Sequence, residues 1–453
     1  MLKVIIPNNN VAERTYIVNI LLHHFLELSY ELIISETSTI YKIILPNAKE
    51  LTIDDNFFSQ YPQPLSYLNE NAIPIYVPYA YSSFFPEKDL PILFGTGDIE
   101  ENRKYIHSDI DIFATLFFML TRWEEYVIKD RDEHNRFPAE SSLAYKYKFL
   151  NRPIVNEYVE LFWNLLTKLE YKGKRKDRKF SMLLTHDIDE IERFPTIKKV
   201  IKGMGGDILY RKSIILPFKT LYEYIALKLG IKKDPYDTFE KIMDISDKFH
   251  LKSHFFFMAG GTTQKYDNRY DIKSEKSFKI LNTIKSRGHS IGIHPSYNAY
   301  NNAKQFKKEK DTLEEVLSSK LESGREHYLR FELPTTWQLW DNNNFKWCSN
   351  LAYANKSGFR AGCCYAYHPF NILTRKKLNI IERPLILMEA TFAQEVKSVE
   401  EFNQLSDYYF DIVQKYQGEF VLLWHNASFN ESTLKKYTQS YLHILNKYHQ
   451  RML

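Results

Sequence analysis

Residues 181–189 read Ser-Met-Leu-Leu-Thr-His-Asp-Ile-Asp, an apolar run that ends abruptly in polar residues. Such a run predicts a buried strand that carries polar groups at its C-terminal end. Asp187 and Asp189 are two positions apart, so on an extended backbone both carboxylates point to the same face. Two negative charges this close are unfavourable unless a cation or a proton lies between them. The stretch therefore predicts a metal-and-base site or, alternatively, a simple strand end at which Asp189 caps the next helix.

Length and composition limit the classes of protein. A chain of 453 residues that is 44% hydrophobic and 15% aromatic is long enough for two domains and apolar enough for a folded core. The net charge of +5 is spread over many lysines and glutamates, which predicts no nucleic acid partner. The three cysteines, Cys348, Cys363 and Cys364, have neither metal-ligand spacing nor a disulfide pattern, which favours a reducing compartment.

The start of the chain bears on its location. Met-Leu-Lys-Val-Ile-Ile-Pro lacks the basic start, long apolar stretch and cleavage site of a signal peptide. No apolar run approaches the ~18–20 residues of a membrane span. We therefore expect a soluble, cytoplasmic protein without a transmembrane segment.

Residues 1–175 have the pattern of a smaller α/β domain that ends in helices. Its main strands are predicted at 3–7, 31–35 and 41–45, and two of its amphipathic helices at 109–129 and 155–169. A charged, glycine-containing linker at 172–179 predicts the boundary with a second domain that spans 176–453.

From residue 180 onward, short apolar runs alternate with amphipathic segments. The predicted strands are 180–185, 253–258, 290–294, 327–331, 358–363, 380–389 and 419–424. The predicted helices are 237–249, 275–287, 303–320, 398–416 and 431–447. About seven strand–helix units indicate a parallel (β/α) barrel, whose chemistry gathers at the C-terminal ends of the strands.

Residues 197–233 interrupt this alternation with a basic, amphipathic insertion. Its nine lysine and arginine residues are interleaved with isoleucine and leucine, and its only acids are Asp207 and Glu223. Two interpretations stay open. The insertion is a solvated helical excursion on the rim of the barrel, or it is a peripheral contact with an anionic membrane or a lipid phosphate.

Two further strand ends carry histidines. Gly288-His-Ser-Ile-Gly-Ile-His-Pro-Ser-Tyr-Asn298 contains His289 and His294, which are five apart and so point to opposite faces of one strand. His294, at the strand end, is the better ligand candidate. Phe420-Val-Leu-Leu-Trp-His425 ends another buried run in an imidazole, whose pKa suits proton transfer near neutrality. A hydrogen-bonded structural role is the alternative for a lone strand-end histidine.

A third stretch, Arg325-Glu-His-Tyr-Leu-Arg330, carries two arginines. On a strand, Arg325 and His327 share one face and Arg330 takes the other. An arginine inside a barrel is costly unless a carboxylate pairs with it, so either arginine is a candidate to hold a carboxylate in place. A surface ion pair is the alternative.

In this order, the four stretches resemble the NodB-type polysaccharide deacetylases of carbohydrate esterase family 4. The motifs are Asp-x-Asp, Gly-His-x-Ile-Gly-x-His, Arg-Phe-x-x-Pro and Leu-Leu-x-His, and they are spread over about 176–430. The resemblance implies a distorted (β/α)7 barrel that uses a divalent metal to hydrolyse N-acetyl groups on amino sugars. Residues 109–126 and 152–155 look like parts of an uncharacterised domain that precedes such a module in some bacterial proteins.

The resemblance also implies roles for single residues. Asp187 matches the general base, His425 the general acid, and Arg330 with Pro334 the Arg-Pro motif. Asp189 and His294 match ligands of a divalent ion, for which Zn²⁺ is expected and Co²⁺ or Ni²⁺ are alternatives. The candidates for stacking against a sugar are Trp337, Trp424 and Tyr297, with core packing as the alternative.

Two positions depart from the family pattern. Asn298 stands where the second metal-binding histidine belongs, and a neutral amide is a weak zinc ligand. His327 is the candidate replacement. The first motif reads Thr-His-Asp-Ile-Asp rather than Thr-Phe-Asp-Asp-Gly, although both carboxylates are kept.

These patterns favour a metal-dependent hydrolase that removes N-acetyl or related acyl groups from an amino sugar of a polysaccharide or its precursor. The alternatives are a catalytically silent barrel that binds carbohydrate or scaffolds an assembly pathway, and a hydrolase of a small non-peptide C–N substrate such as a ureide.

Overall fold

The computed structural model describes residues 1–209, 215–267, 269–431 and 433–452. It contains a six-stranded N-terminal sheet and an eight-stranded parallel sheet, together with helices that pack against them. This arrangement confirms the predicted fold class, a barrel-type parallel sheet preceded by a smaller α/β unit.

The N-terminal sheet has the strand order β2-β1-β3-β4-β8-β7. Strands β5 and β6, which come between β4 and β7 in the chain, form a separate two-stranded sheet. The strands are β1 (Leu2–Pro7), β2 (Tyr30–Ser35), β3 (Ile40–Ile44), β4 (Glu50–Asp54), β5 (Tyr79–Ala80), β6 (Leu90–Pro91), β7 (Ile99–Glu101) and β8 (Tyr105–Ser108). The α-helices of this region are α1 (Val11–Val18), α2 (Ile112–Thr121), α3 (Glu124–Val127), α4 (Leu143–Lys146) and α5 (Ile154–Lys168). Every residue of α2 is buried, which explains why this helix is apolar on all sides.

The larger sheet has the order β16-β13-β12-β11-β10-β9-β18-β17, and each neighbouring pair is parallel. Its strands are β9 (Ser181–Ile188), β10 (Ser253–Phe257), β11 (Ser290–Ile293), β12 (Ser323–Gly324), β13 (Trp347–Cys348), β16 (Ile381–Glu382), β17 (Leu387–Met388) and β18 (Glu419–Leu423); β14 (Phe370–Asn371) and β15 (Lys376–Lys377) form a separate hairpin. The helices are α6 (Ile197–Leu209), α7 (Ile215–Lys228), α8 (Phe239–Lys248), α9 (Glu275–Ser286), α10 (Ala303–Leu317), α11 (Thr335–Asn342), α12 (Glu389–Glu395), α13 (Val399–Lys415) and α14 (Thr438–Met452).

The parallel sheet is curled around an inner apolar cluster. Leu183 of β9, Phe256 of β10 and Val421 of β18 lie in this cluster. Ile381 and Met388, from the two edge strands β16 and β17, pack against the same cluster. The edges therefore approach each other, although no ladder joins β16 to β17 among the described pairs, and the sheet is an open, distorted barrel of eight strands rather than the seven expected.

Two strand predictions in the second region were wrong, and the strand predicted at 380–389 is two short strands, β16 and β17, at opposite edges of the sheet. The predicted strand at 327–331 is an irregular turn at His327–Leu329, because Tyr328 and Leu329 have φ of +61° and +53°, which a strand does not allow. The strand of this unit is β12, which ends at Gly324. Residues 358–363 form no strand either, since Gly358 and Gly362 have φ of +144° and +59°.

The two regions share one continuous core. Buried residues of α2 and α5 belong to the same apolar cluster as Trp337, Phe420 and Trp424. Glu125 of α3 forms a buried ion pair with Arg360, 2.6 Å long, from the second region. The boundary at 175/176 stays a prediction; it falls between α5 and β9.

Helices α6 and α7 form a helical hairpin within the predicted insertion. Residues 210–214, which include Arg211 and Lys212, lie outside the described residues. None of the described helices is long and apolar enough to cross a membrane. The compartment of the protein stays a prediction.

Replacing Glu125 with alanine should destabilise the fold strongly. Glu125 is 3% exposed and accepts hydrogen bonds from Arg122 (3.0 Å) and Arg360 (2.9 and 2.6 Å). Its loss leaves the buried Arg360 without a carboxylate, so we expect a decrease of about 3–5 kcal/mol in the free energy of unfolding. Urea denaturation measures it. The exposed Glu100→Ala should stay within about 0.5 kcal/mol of the parent, and equal losses in both variants would contradict the assignment.

Candidate metal centre

Asp189, His294 and His327 converge at the carboxyl edge of the parallel sheet. Asp189 and His294 directly follow β9 and β11, and His327 comes three residues after β12. His294 Nε2 lies 2.9 Å from His327 Nδ1 and 3.3 Å from Asp189 Oδ1, and His327 Nδ1 lies 3.5 Å from Asp189 Oδ1. Ligands at ~2.0–2.1 Å around a tetrahedral ion lie about 3.4 Å from one another. These three residues can therefore hold one divalent ion.

Backbone carbonyls orient both imidazoles towards this centre. His294 Nδ1 donates to the carbonyl of Arg325 (2.7 Å), and His327 Nε2 donates to the carbonyl of Tyr266 (3.2 Å). Because a carbonyl only accepts, these bonds leave His294 Nε2 and His327 Nδ1 as the nitrogens with free lone pairs. Asp189 Oδ1 is buried and accepts no hydrogen bond. A buried oxygen without a donor, beside two such nitrogens, is a fitting environment for a cation.

Burial and neighbouring charges shift the pKa values of all three ligand candidates. Burial alone would raise the pKa of Asp189, but the imidazoles of His327, His294 and His425 lower it well below its usual value. Burial lowers the pKa of His327 to about 4, so this ring is neutral near pH 7. Burial acts in the same direction on His294, but the carboxylates of Asp187 and Asp189 outweigh it and raise the pKa of His294.

Asp187 is held beside this centre by a buried arginine. Its carboxylate, 3% exposed, accepts a hydrogen bond of 2.8 Å from Arg325 Nη1. Arg325 has no exposed surface and is fixed by the carbonyl (2.8 Å) and the hydroxyl (3.0 Å) of Ser349. The other oxygen of Asp187 lies 3.9 Å from His294 Nδ1. Arg325 thus fixes the orientation of the carboxylate through one oxygen.

His425 is paired with a buried glutamate that sequence reasoning missed. Its Nδ1 lies 2.7 Å from Oε1 of Glu389, which also accepts hydrogen bonds from the backbone N–H of His425 and from the hydroxyl of Ser428. Burial alone would lower the pKa of His425, but the carboxylates of Glu389, Asp189 and Asp187 raise it to about 10. The imidazole is therefore protonated at neutral pH, and Nδ1 is committed to Glu389. Glu389 comes directly after β17, so a strand-end carboxylate was the available signal.

Arg330 does not contact Asp187. Its Nε donates to the carbonyl of His134 (2.8 Å), and its Nη1 donates to the carbonyl of Tyr297 and to Oδ1 of Asn298 (2.9 Å). The guanidinium also lies 4.0 Å from the ring centroids of Tyr297 and Tyr300. Of the two arginines expected as candidates to hold a carboxylate, Arg325 is the partner of Asp187. The alternation of faces assumed for this stretch does not apply, because the backbone after β12 is not a strand. The catalytic role of Arg330 stays a prediction.

Asn298 is likewise separate from the three ligands. Its side chain is exposed, and its amide oxygen accepts the hydrogen bond from Arg330. Of the two residues expected as the third ligand, His327 lies with Asp189 and His294.

The three aromatic residues expected to stack against a sugar differ in position. Trp337 and Trp424 have no exposed surface, and the indole N–H of Trp337 donates to buried Glu382. They are corrected to core residues, because an enclosed ring offers no face to a ligand. Tyr297 belongs to an aromatic group beside the centre; its ring stacks on Tyr266 with 4.2 Å between centroids.

This aromatic group includes a residue of the N-terminal region. His134 donates to or accepts from the hydroxyl of Tyr297 (2.9 Å) and packs on Tyr328, whose ring centroid is 4.6 Å from that of the ligand candidate His327. Tyr266 and Tyr328 are only partly buried. Residues from both regions thus line one side of the centre.

The chain has distant similarities to known proteins. A family of unknown function, DUF7033, matches residues 2–171. No curated protein sequence is significantly similar to the chain. Among solved structures, a polysaccharide deacetylase from Bacillus cereus is 10% identical with a TM-score of 0.31, and the match covers 60% of this chain and 89% of that one.

Two other similar solved structures are not named as deacetylases. An allantoinase is 11% identical with a TM-score of 0.38, and the match covers 60% of this chain and 85% of that one. A carbohydrate esterase family 4 pseudoenzyme from Bacillus anthracis is 11% identical with a TM-score of 0.29, covering 59% and 61%. Identities and TM-scores this low carry no conclusion about activity.

Metal binding can be tested residue by residue. We expect the purified chain to retain about one Zn²⁺, Co²⁺ or Ni²⁺ per molecule, since three ligand atoms converge on one point. Asp189→Ala, His294→Ala and His327→Ala should each lower the affinity at least about tenfold. Asn298→Ala is the matched control and should bind as the parent does. Elemental analysis and calorimetric titration give the stoichiometry and affinity; loss of binding in Asn298→Ala with retention in His327→Ala would reverse the ligand assignment.

Proposed function

We propose that the chain is a metal-dependent hydrolase that removes N-acetyl, or related acyl, groups from amino sugars of a polysaccharide or its precursor. One observation carries the proposal. A ligand group (Asp189, His294, His327), an oriented carboxylate (Asp187) and a protonated imidazole (His425) lie at the same edge of the parallel sheet. These are the parts that acyl transfer from an amine to water requires.

Each part has a distinct task in amide hydrolysis. A divalent ion held by Asp189, His294 and His327 would polarise the acetamide carbonyl and lower the pKa of a water molecule. Asp187 accepts the proton from that water as its oxygen attacks the carbonyl carbon. The C–N bond then breaks, and acetate and a free amino sugar are released.

His425 is suited to protonate the leaving amine. Glu389 holds the Nδ1 proton, so Nε2 is the nitrogen that can face a substrate. An amine leaves as a neutral molecule only if it receives a proton, and a His425 that is protonated at neutral pH can supply it. The side chain is 21% exposed, and Asp189 is 25% exposed, so both can be approached from solvent.

The aromatic group beside the centre supports a sugar as the substrate. Tyr328 and Tyr266 combine a partly exposed ring with the position next to His327. Aromatic rings present an apolar face bordered by a polar tip, which suits the C–H face and the hydroxyls of a pyranose. A silent carbohydrate-binding barrel would need this wall but not the paired Asp187–Arg325 and His425–Glu389 groups.

Acetate release tests the proposal. The metal-loaded chain should release acetate from a panel of N-acetyl amino sugars and their oligomers, measured by an enzyme-coupled acetate assay. Asp187→Asn should bind metal like the parent but lose at least about 100-fold in kcat, because the amide no longer accepts the proton. Absence of acetate release from the whole panel would favour the silent barrel, and turnover of a ureide alone would favour the small C–N substrate. Normal turnover by Asp187→Asn would remove its role as base.

The pH dependence of kcat/KM should report the pairing of His425 with Glu389. A general acid works while it is protonated, and the carboxylate of Glu389 favours the protonated ring, so activity should persist to alkaline pH. In Glu389→Gln this charge is absent, burial prevails, and the alkaline limb should move down by about one to three pH units. Glu395→Gln, on the exposed end of α12, is the control and should leave the profile unchanged. An unshifted limb in Glu389→Gln would show that His425 is not the acid.

A further inference from the structure

The helical hairpin of α6 and α7 exposes an unusual amount of apolar surface. Half of the exposed large hydrophobic side chains among the described residues lie between residues 197 and 231. A folded chain with an ample core usually scatters such side chains singly over its surface. Their concentration on one hairpin indicates a contact surface.

Five of these side chains form one stripe along α7 and the residue that follows it. Ile215, Phe218, Tyr222, Ile225 and Leu229 follow one another at intervals of three and four residues, so they lie on one side of the helix. They are 78%, 70%, 58%, 47% and 69% exposed. From Ile215 to Leu229 the stripe is about 21 Å long.

The opposite side of α7 is also apolar, since it carries the half-buried Leu216, Tyr224 and Leu227. Pro217, Thr220 and Ala226 are the buried residues of this helix. The helix therefore has apolar side chains on both sides, and those of the stripe are left exposed to solvent. An exposed apolar stripe of this kind is typical of a helix that contacts a second apolar phase.

Positive charges flank the stripe. The side chains of Lys198, Lys219, Lys228 and Lys232 are exposed. Glu223, the acidic residue of α7, is occupied by an ion pair of 2.7 Å with Arg193. An apolar stripe with lysines along it complements an anionic phospholipid surface, into which the apolar side chains insert while the lysines meet the headgroups. A second copy of this chain would bring lysines against lysines.

The hairpin is rooted at the mouth of the metal centre. The side-chain amide of Asn426 donates to the carbonyl of Glu190 (2.8 Å) and to the carbonyl of Tyr236 (2.9 Å), which lie just before and just after the insertion. Asn426 is the neighbour of His425 in the chain, and Glu190 is the neighbour of Asp189. The Asp234 carboxylate also accepts hydrogen bonds from the backbone N–H groups of Arg193 and Phe194. The two ends of the insertion are therefore close to the site.

We infer that the α6–α7 hairpin docks on an anionic lipid bilayer, and that the metal centre acts on an N-acetyl amino sugar carried by a lipid in that bilayer. The docking stands on the stripe and the lysines alone. The substrate class rests on the proposed function, because it assumes that the centre hydrolyses an N-acetyl group.

Vesicle flotation tests the docking without any need for activity. The full chain should float with vesicles of phosphatidylcholine mixed with phosphatidylglycerol and much less with phosphatidylcholine alone. The double variant F218D/I225D should lower the bound fraction at least about tenfold, since each apolar side chain contributes ~1.5–3 kcal/mol when buried. K219E/K228E should lower it at least about fivefold, more at low salt, because each lysine near the surface contributes about 1 kcal/mol.

Matched controls lie on two other helices of the second region. Phe278→Asp changes a ring on α9 that is 41% exposed, and K304E/K308E reverses two exposed lysines on α10. Both should float as the parent does. Undiminished flotation of F218D/I225D would overturn the docking. So would light scattering that shows a dimer of the parent lost in F218D/I225D, with no vesicle binding by either.

A further comparison separates this inference from the proposed function. F218D/I225D should hydrolyse a water-soluble N-acetyl amino sugar like the parent but lose at least about tenfold on the same sugar attached to a lipid in vesicles. Equal rates on both would overturn the lipid-borne substrate. Asp189→Asn should still float; if the parent floats yet releases no acetate from any substrate, the proposed function fails while the docking stands.

Discussion

The parallel pairing of β9 with both β10 and β18 is the constraint on which the candidate site depends. Parallel strands end at the same edge of a sheet, so the residues that follow them meet there whatever their separation in the chain. Asp187, His294 and His425 are brought together in this way from positions up to 238 residues apart. Because Arg325 follows β12 at the same edge, the buried carboxylate of Asp187 finds its partner without any local motif.

The irregular turn after β12 completes this edge. Tyr328 and Leu329 both have a positive φ, and each such residue costs of the order of 1–3 kcal/mol outside glycine. The turn persists because His327 bonds to the carbonyl of Tyr266 and the ring of Tyr328 packs on its aromatic neighbours. The turn places the imidazole of His327 beside Asp189 and His294. The backbone distortion and the position of the third ligand candidate therefore belong together.

The sequence predicted the convergence of residues that follow the apolar runs at β9 and β11, and missed a carboxylate that follows the two-residue strand β17. Asp189 and His294 end apolar runs whose period and length are plain, so their convergence could be expected. Glu389 escaped notice because β17 has only two residues and the carboxylate lies inside an apolar stretch. Trp337 and Trp424 could not be separated from surface aromatics, since burial of a ring depends on residues far away in the chain. The sequence could not predict that the stripe on α7 is exposed. Hydrophobic periodicity shows which residues share a side of a helix, but not whether that side faces the core or solvent.

The contacts of His134 bring the N-terminal region into the aromatic group beside the centre. Its carbonyl holds Arg330, and its ring rests on Tyr297 and Tyr328. A chain shortened to residues 176–453 would keep every proposed ligand, base and acid, yet Arg330 would lose an anchor and the shared apolar core would be divided. The aromatic group beside the proposed site is thus built from residues on both sides of the predicted boundary.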